Sequence, residues 1–149
     1  MRHPADILRE GCDILDAVLV PAGFHFEHRD AGRSSGGQFA FGEYVRGERR
    51  LELHVRTSLG LVAYAAGDLR VPHEQLARAV LGRSGGNAFP GFSDDPLDGF
   101  RHLRQDLERF GAIFLRGSDD ELRILLTRAA DEELRRPKGL AALFDPEQP

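Results

Sequence analysis

The spacing of apolar residues divides the chain into segments of two periodicities. From about Pro4 to Val20, Ile7, Leu8, Ile14, Leu15, Val18 and Leu19 recur at helical spacing, with Arg9, Glu10, Asp13 and Asp16 between them. Pro4 suits the first turn of such a helix, and Pro21 with Gly23 closes it. Cys12 lies along or beside the apolar stripe. At Phe24 the period becomes two. Phe24 and Phe26 alternate with His25 and Glu27 as a half-buried strand, and Ala31 to Gly37 has the composition of a turn or loop. A second strand carries Phe39, Phe41 and Val45 on one face and Gln38, Tyr44 and Arg46 on the other. A third, Leu51 to Arg56, has the cleanest alternation in the chain. A fourth, Leu59 to Ala66, is apolar on both sides and reads as central or doubly covered.

Burial selects a register for the second and third strands. A two-residue loop at Gly47-Glu48 would set Phe41 opposite His54, an aromatic face against a polar one. A three-residue loop, Arg46-Gly47-Glu48, pairs Val45 with Arg49, Phe41 with Leu53 and Phe39 with Val55. Because a one-residue slip turns every side chain to the other face, the odd-length loop is the expectation.

The second half reads as helical. Pro72 opens a segment from His73 to Leu81, stopped by Gly82, and an aperiodic loop follows from Arg83 to Ser93. Asp95-Pro96 is a start signal for a helix reaching Phe110, which would bury Leu97, Phe100, Leu103, Leu107 and Phe110. After an apolar link, Ile113-Phe114-Leu115, the run Ser118-Asp119-Asp120-Glu121 is a capping box that begins a last helix. The predicted class is α+β: one N-terminal helix, a four-stranded antiparallel meander, and three C-terminal helices packed on one sheet face, the other face partly open. A single domain over 1–149 is expected, with its core over about 4–136 and a frayed tail at 137–149.

Composition narrows the classes. The chain's 149 residues suit one domain, and no apolar run approaches the ~20 residues of a membrane span. The opening Met1-Arg2-His3-Pro4-Ala5-Asp6 does not read as a secretory signal. One cysteine cannot form an internal disulfide, which fits a reducing, cytoplasmic setting. A formal charge of −4 argues against a nucleic-acid partner. All but Lys138 of the 20 basic residues are Arg, a bias that a G+C-rich genome produces without selection at any site.

The polar face of the sheet is the first candidate for chemistry. With Leu51, Leu53 and Val55 turned to the helices, Glu52, His54 and Arg56 stand in a row on the opposite face, where Tyr44, Arg46 and Tyr64 could join them. Together they would offer an acid, a base, fixed cations and phenols. Alternating polar residues are also what any solvated sheet face displays. The second candidate is the loop around Phe89, Phe92, Asp94 and Asp95. Its two phenylalanines either form an exposed apolar knob with an acidic rim, suited to a protein partner, or fold back against the core while Asp95 caps a helix. No cofactor or metal is expected. His25 and His28 fall on opposite faces of a strand, HExxH and CxxC patterns do not occur, and the glycine-rich Gly82–Asn87 lacks the G-K-[ST] ending of a phosphate loop. Cys12 reads as packed and inert, so no catalytic residue is assigned.

The segment Leu19-Val20-Pro21-Ala22-Gly23-Phe24 and the run Glu52 to Leu61 resemble the first half of several small bacterial α+β families, some of immunity-protein type. That resemblance implies an inhibitor that covers another protein's active site, and it carries over no catalytic or binding residue. Two functions are therefore expected as alternatives. One is a non-enzymatic interaction or immunity-type domain; the other is a small-molecule-binding or hydrolytic domain centred on His54, Arg56 and Tyr64.

Overall fold

In the computed structural model, which describes residues 2–82 and 86–135, α1 (Pro4–Leu19) is followed by β1 (His25–Ser34), β2 (Gly37–Arg46), β3 (Arg49–Val55), β4 (Leu59–Ala66) and β5 (Leu69–Pro72), then by α2 (His73–Leu81), α3 (Asp98–Phe110), α4 (Ala112–Arg116) and α5 (Asp119–Leu134). The strands pair antiparallel in the order in which they occur along the chain. The α+β class and the meander match the sequence reading. The sheet has five strands, however, and four described helices follow it. Strand β5 and helix α4 are four and five residues long, too short to display a period. The tail expected at 137–149 lies outside the described residues.

Two further expectations are corrected. The segment from Ala31 to Ser34 is strand, leaving only Ser35-Gly36 as the turn, with Ser34 opposite Gly37. This part of β1 is exposed on both faces, so no apolar alternation marks it. The β2–β3 register is the one that the sequence reading rejected. Arg46 pairs with Arg49, Phe41 with His54 and Tyr44 with Leu51 across a two-residue loop. Gly47 has φ of +59°, the conformation that a two-residue hairpin turn demands of its first central residue, and Gly67-Asp68 repeats the device between β4 and β5 with φ of +58°. The inward face of β2 is thus Ala40, Gly42 and Tyr44, and Phe39 and Phe41 point the other way. Small residues there let α1 and the Phe26 ring approach the strand, and Leu51, Leu53 and Val55 beside them supply the bulk.

Helices are anchored to this inward face along its length. The Tyr44 hydroxyl lies 2.8 Å from Asp16 Oδ1 and 3.0 Å from the Cys12 carbonyl of α1. Arg46 Nη1 donates to Leu115 O at 2.7 Å. Arg49, also buried, donates to the carbonyls of Ile113, Phe114 and Gly117 and to Asp119. These two guanidinium groups satisfy the last carbonyls of α4, of which only that of Ile113 also takes a helical amide, from Gly117. Helix α5 opens with the expected capping box, Ser118 and Glu121 bonding reciprocally. Helix α3 begins at Asp98, two residues later than expected with Asp95 as the cap and Pro96 in the first turn, because the chain from Asp95 to Asp98 forms a turn. Asp95 Oδ1 still accepts the Leu97 amide at 2.9 Å, as a capping carboxylate would.

Candidate functional site

The outward sheet face divides into a charged half and an open half. In the charged half Glu27, Glu43 and Glu52 align across β1, β2 and β3. Arg29 bridges Glu43 and Glu27 at 2.6 and 2.8 Å, and Arg70 from β5 reaches Glu52 at 3.0 Å. Each of these groups is held in an ion pair. Towards the β1–β2 and β3–β4 turns the composition changes. Phe41 stacks on His54 with ring centroids 4.2 Å apart, Arg56 lies over Phe39 at 5.9 Å, and Leu61, opposite His54, is 41% exposed. Phe39, His54 and Leu61, with Ser34, Arg56 and Thr57, line an open cleft of about 530 Å³.

Charge in this cleft is one-sided. Arg56 donates to Gly37 O at 3.1 Å and to Ser34 Oγ at 3.0 Å, which fixes its direction without neutralising it. Neither Arg56 nor Arg33, on the adjoining rim, has a carboxylate partner among the described residues. Burial holds the His54 ring below its ordinary pKa; the Glu52 charge opposes this, while Arg70 and Arg56 reinforce it. Around neutrality the cleft therefore offers an uncharged imidazole stacked on an aromatic ring, an exposed leucine and the Arg56 guanidinium, with Arg33 on the adjoining rim.

Of the residues expected on this face, Glu52, His54 and Arg56 are there. Tyr44, Arg46 and Tyr64 are not: all three side chains point to the helices, Tyr44 and Tyr64 completely buried. Glu52 is tied to Arg70 and stands apart from the cleft. The expected loop also divides. Phe89 is buried against His73, Phe92 is fully exposed, and Asp95 is engaged by Leu97 and Arg101.

Comparison of the chain with protein-family models, with curated proteins and with solved structures gave no match. The site must be read from its own geometry.

The sequence reading missed a second constellation. Tyr64 Oη lies 2.7 Å from His73 Nδ1, and His73 Nε2 lies 2.8 Å from Asp106 Oδ2. Asp106 also accepts the Ala88 amide at 2.6 Å and the Phe89 amide at 2.9 Å. With the imidazole as its Nε2–H tautomer, Tyr64 donates to the ring, the ring donates to the carboxylate, and every polar atom has a partner. Burial alone would raise the Asp106 carboxyl, but the His73 bond and the two amides outweigh it and hold the group below its ordinary value. Burial, then the Asp106 charge, pushes Tyr64 well above its own. The chain has the order of a catalytic relay, yet its three side chains are at most 1% exposed, so no substrate can meet them. Its effect is architectural: it ties β4, α2, α3 and the loop before α3 together. One signal was legible. Asp106 stands three residues after Leu103 and four before Phe110, a carboxylate on the apolar stripe of its helix.

Cys12 is buried, and burial pushes its thiol up to about 12, far from the thiolate that reactivity needs. Among the described residues no three His, Cys, Asp or Glu side chains lie close enough to hold a metal ion, and no described helix is long and apolar enough to cross a membrane.

Proposed function

We propose that this protein acts by binding, with the open half of the outward sheet face as a docking site for a protein segment that presents an apolar side chain beside a carboxylate. The observation that carries the reading is the juxtaposition in one cleft of Phe39 and Leu61, beside the Phe41–His54 stack, with the Arg56 guanidinium, which lacks a carboxylate partner among the described residues. Uncovered apolar surface rimmed by charge is a recurrent property of docking faces. Binding is favoured over hydrolysis because, among the described residues, His54 makes no hydrogen bond to Ser34, Thr57 or Ser58, the hydroxyls that line the cleft with it. An immunity-type inhibitor would be one form of such a protein, its cleft gripping a projecting segment of the enzyme it silences.

The test is selection of a random peptide library displayed on phage. Enriched peptides should carry Phe, Leu or Ile within two residues of Asp or Glu, and should lose about tenfold or more in affinity when Leu61→Asp or Arg56→Glu is introduced. Enrichment of unrelated sequences, or binding indifferent to both substitutions, would overturn the proposal. One observation favours a second reading. A concavity of about 530 Å³ falls within the range of small-ligand pockets. If small aromatic carboxylates raise the melting temperature of the wild type but not of Arg56→Glu, and no peptide is selected, the ligand is a small anion.

A further inference from the structure

The loop between α2 and α3 carries a side chain that the rest of the fold does not use. Phe92 is fully exposed, yet the chain on both sides of it is tethered. Before it, the buried Asp106 carboxylate holds the Ala88 and Phe89 amides. After it, Ser93 Oγ donates to Asp98 at 2.5 Å and accepts the Asp95 amide at 3.0 Å, while Asp95 bonds Arg101 at 3.1 Å. An aromatic ring is thus presented to solvent on a braced loop, which reduces the entropy lost when it binds. Two residues on, Asp94 has no ion-pair partner among the described residues. The motif Phe92-Ser93-Asp94 therefore has the chemistry that the cleft was argued to accept: an apolar side chain followed by a carboxylate.

Position agrees with chemistry. A Cβ on Gly99, near the start of α3, would lie 3.2 Å from Leu59 Cβ. Leu59 begins β4 between the cleft residues Ser58 and Gly60 with its side chain on the helix side, so the loop braced on the first turn of α3 lies at the same end of the sheet as the cleft, behind the face on which the cleft opens. With both features at one end, two copies related by a two-fold axis can exchange knobs and satisfy both clefts at once, a closed arrangement with no free cleft to propagate.

We propose that the cleft's occupant is a second copy of this chain, Phe92 of each molecule packing between Phe39 and Leu61 of the other while Asp94 meets Arg56. This rests on the reading of the cleft as a docking face and names its ligand. The contact is small and both copies carry a formal charge of −4, so the dimer is a weak one, with a dissociation constant on the order of 10–100 µM.

Sedimentation velocity of the full chain from about 10 to 500 µM tests it. The wild type should shift from a species of one chain towards two and then level off, and Phe92→Ala should weaken the association by about thirtyfold. The decisive arm is a charge exchange. Arg56→Glu alone sets acid against acid and Asp94→Arg alone sets base against base, so each stays monomeric. Mixing the two variants restores opposite charges in both contacts and should restore the dimer, a rescue that damage to folding could not produce. A wild type monomeric at every concentration, association indifferent to Phe92→Ala, growth without a plateau, or no rescue on mixing would each overturn the inference. If library peptides still bind the cleft of a monomeric protein, self-association alone falls; if they also fail, the docking reading falls with it.

Discussion

Asp106 is the residue on which the interior depends most. Its carboxylate serves the His73 ring and two backbone amides at once, and it is sealed from water. Asp106→Asn keeps the shape but turns an NH₂ group against one of three N–H donors. The expected loss is about 3–5 kcal/mol, measured by urea unfolding, since a buried partner set left mismatched costs its full desolvation. His54 gives a prediction of opposite visibility. Its folded-state pKa lies below the ordinary value of 6.5, so the unfolded chain takes up protons first as pH falls. The stability tied to the neutral ring is fully present above the ordinary value and declines as pH drops below it. Relative to His54→Phe, which keeps the stack on Phe41, the wild type should lose stability between pH 7.5 and 5, read from paired denaturation curves. An unchanged difference across that range would show that the ring is not desolvated. The histidine was legible as a face residue from strand alternation. Its aromatic partner was not, because Phe41 had been turned inward with the wrong register.

At the scale of elements, helix α4 has the least support of its own. Five residues cannot pass the nucleation cost of an isolated helix, and its last carbonyls rest on Arg46 and Arg49 from the sheet. Arg49→Leu should cost about 2–4 kcal/mol, because the carbonyls of Ile113, Phe114 and Gly117 lose a buried donor. Amide exchange in α4 and at the start of α5 should accelerate more than in α1; equal acceleration everywhere would mean that Arg49 does not act locally. The opposite end of the sheet is secured differently. Strand β1 is an edge, mostly exposed, and carries Glu27, Arg29, Asp30 and Arg33 with a register irregularity between His28 and Asp30, devices that discourage pairing with another sheet. Such an edge directs any partner to the face of the sheet and away from its rim. Helix α1 and the capping box of α5 were legible in detail from an amphipathic period and an explicit cap, and strand β4 from its continuous apolar run. Strand β5 and α4 were not, since their neighbours and not their own sequences hold them in place.

For the whole molecule, sidedness is what matters. One sheet face takes α1 through Tyr44, α4 and α5 through Arg46 and Arg49, and α2 and α3 through Tyr64 and His73; the other is left to Glu52, His54, Arg56 and the two phenylalanines of β2. The alternation of β3 determined this division by itself, for a strand with Leu51, Leu53 and Val55 at every second position has only one face that can meet a core. The four longer helices, the capping box of α5 and the α+β order followed equally from local period and turn chemistry. Which face of β2 turns inward could not be read, because both its faces carry apolar residues. The choice was made by the fit of Ala40, Gly42 and Tyr44 beneath α1 and by a glycine turn two residues long. The Tyr64–His73–Asp106 chain and the cleft at Phe39 and Arg56 likewise join residues far apart in sequence. Period and composition act over a few residues; contacts of that range exist only once packing has brought the segments together.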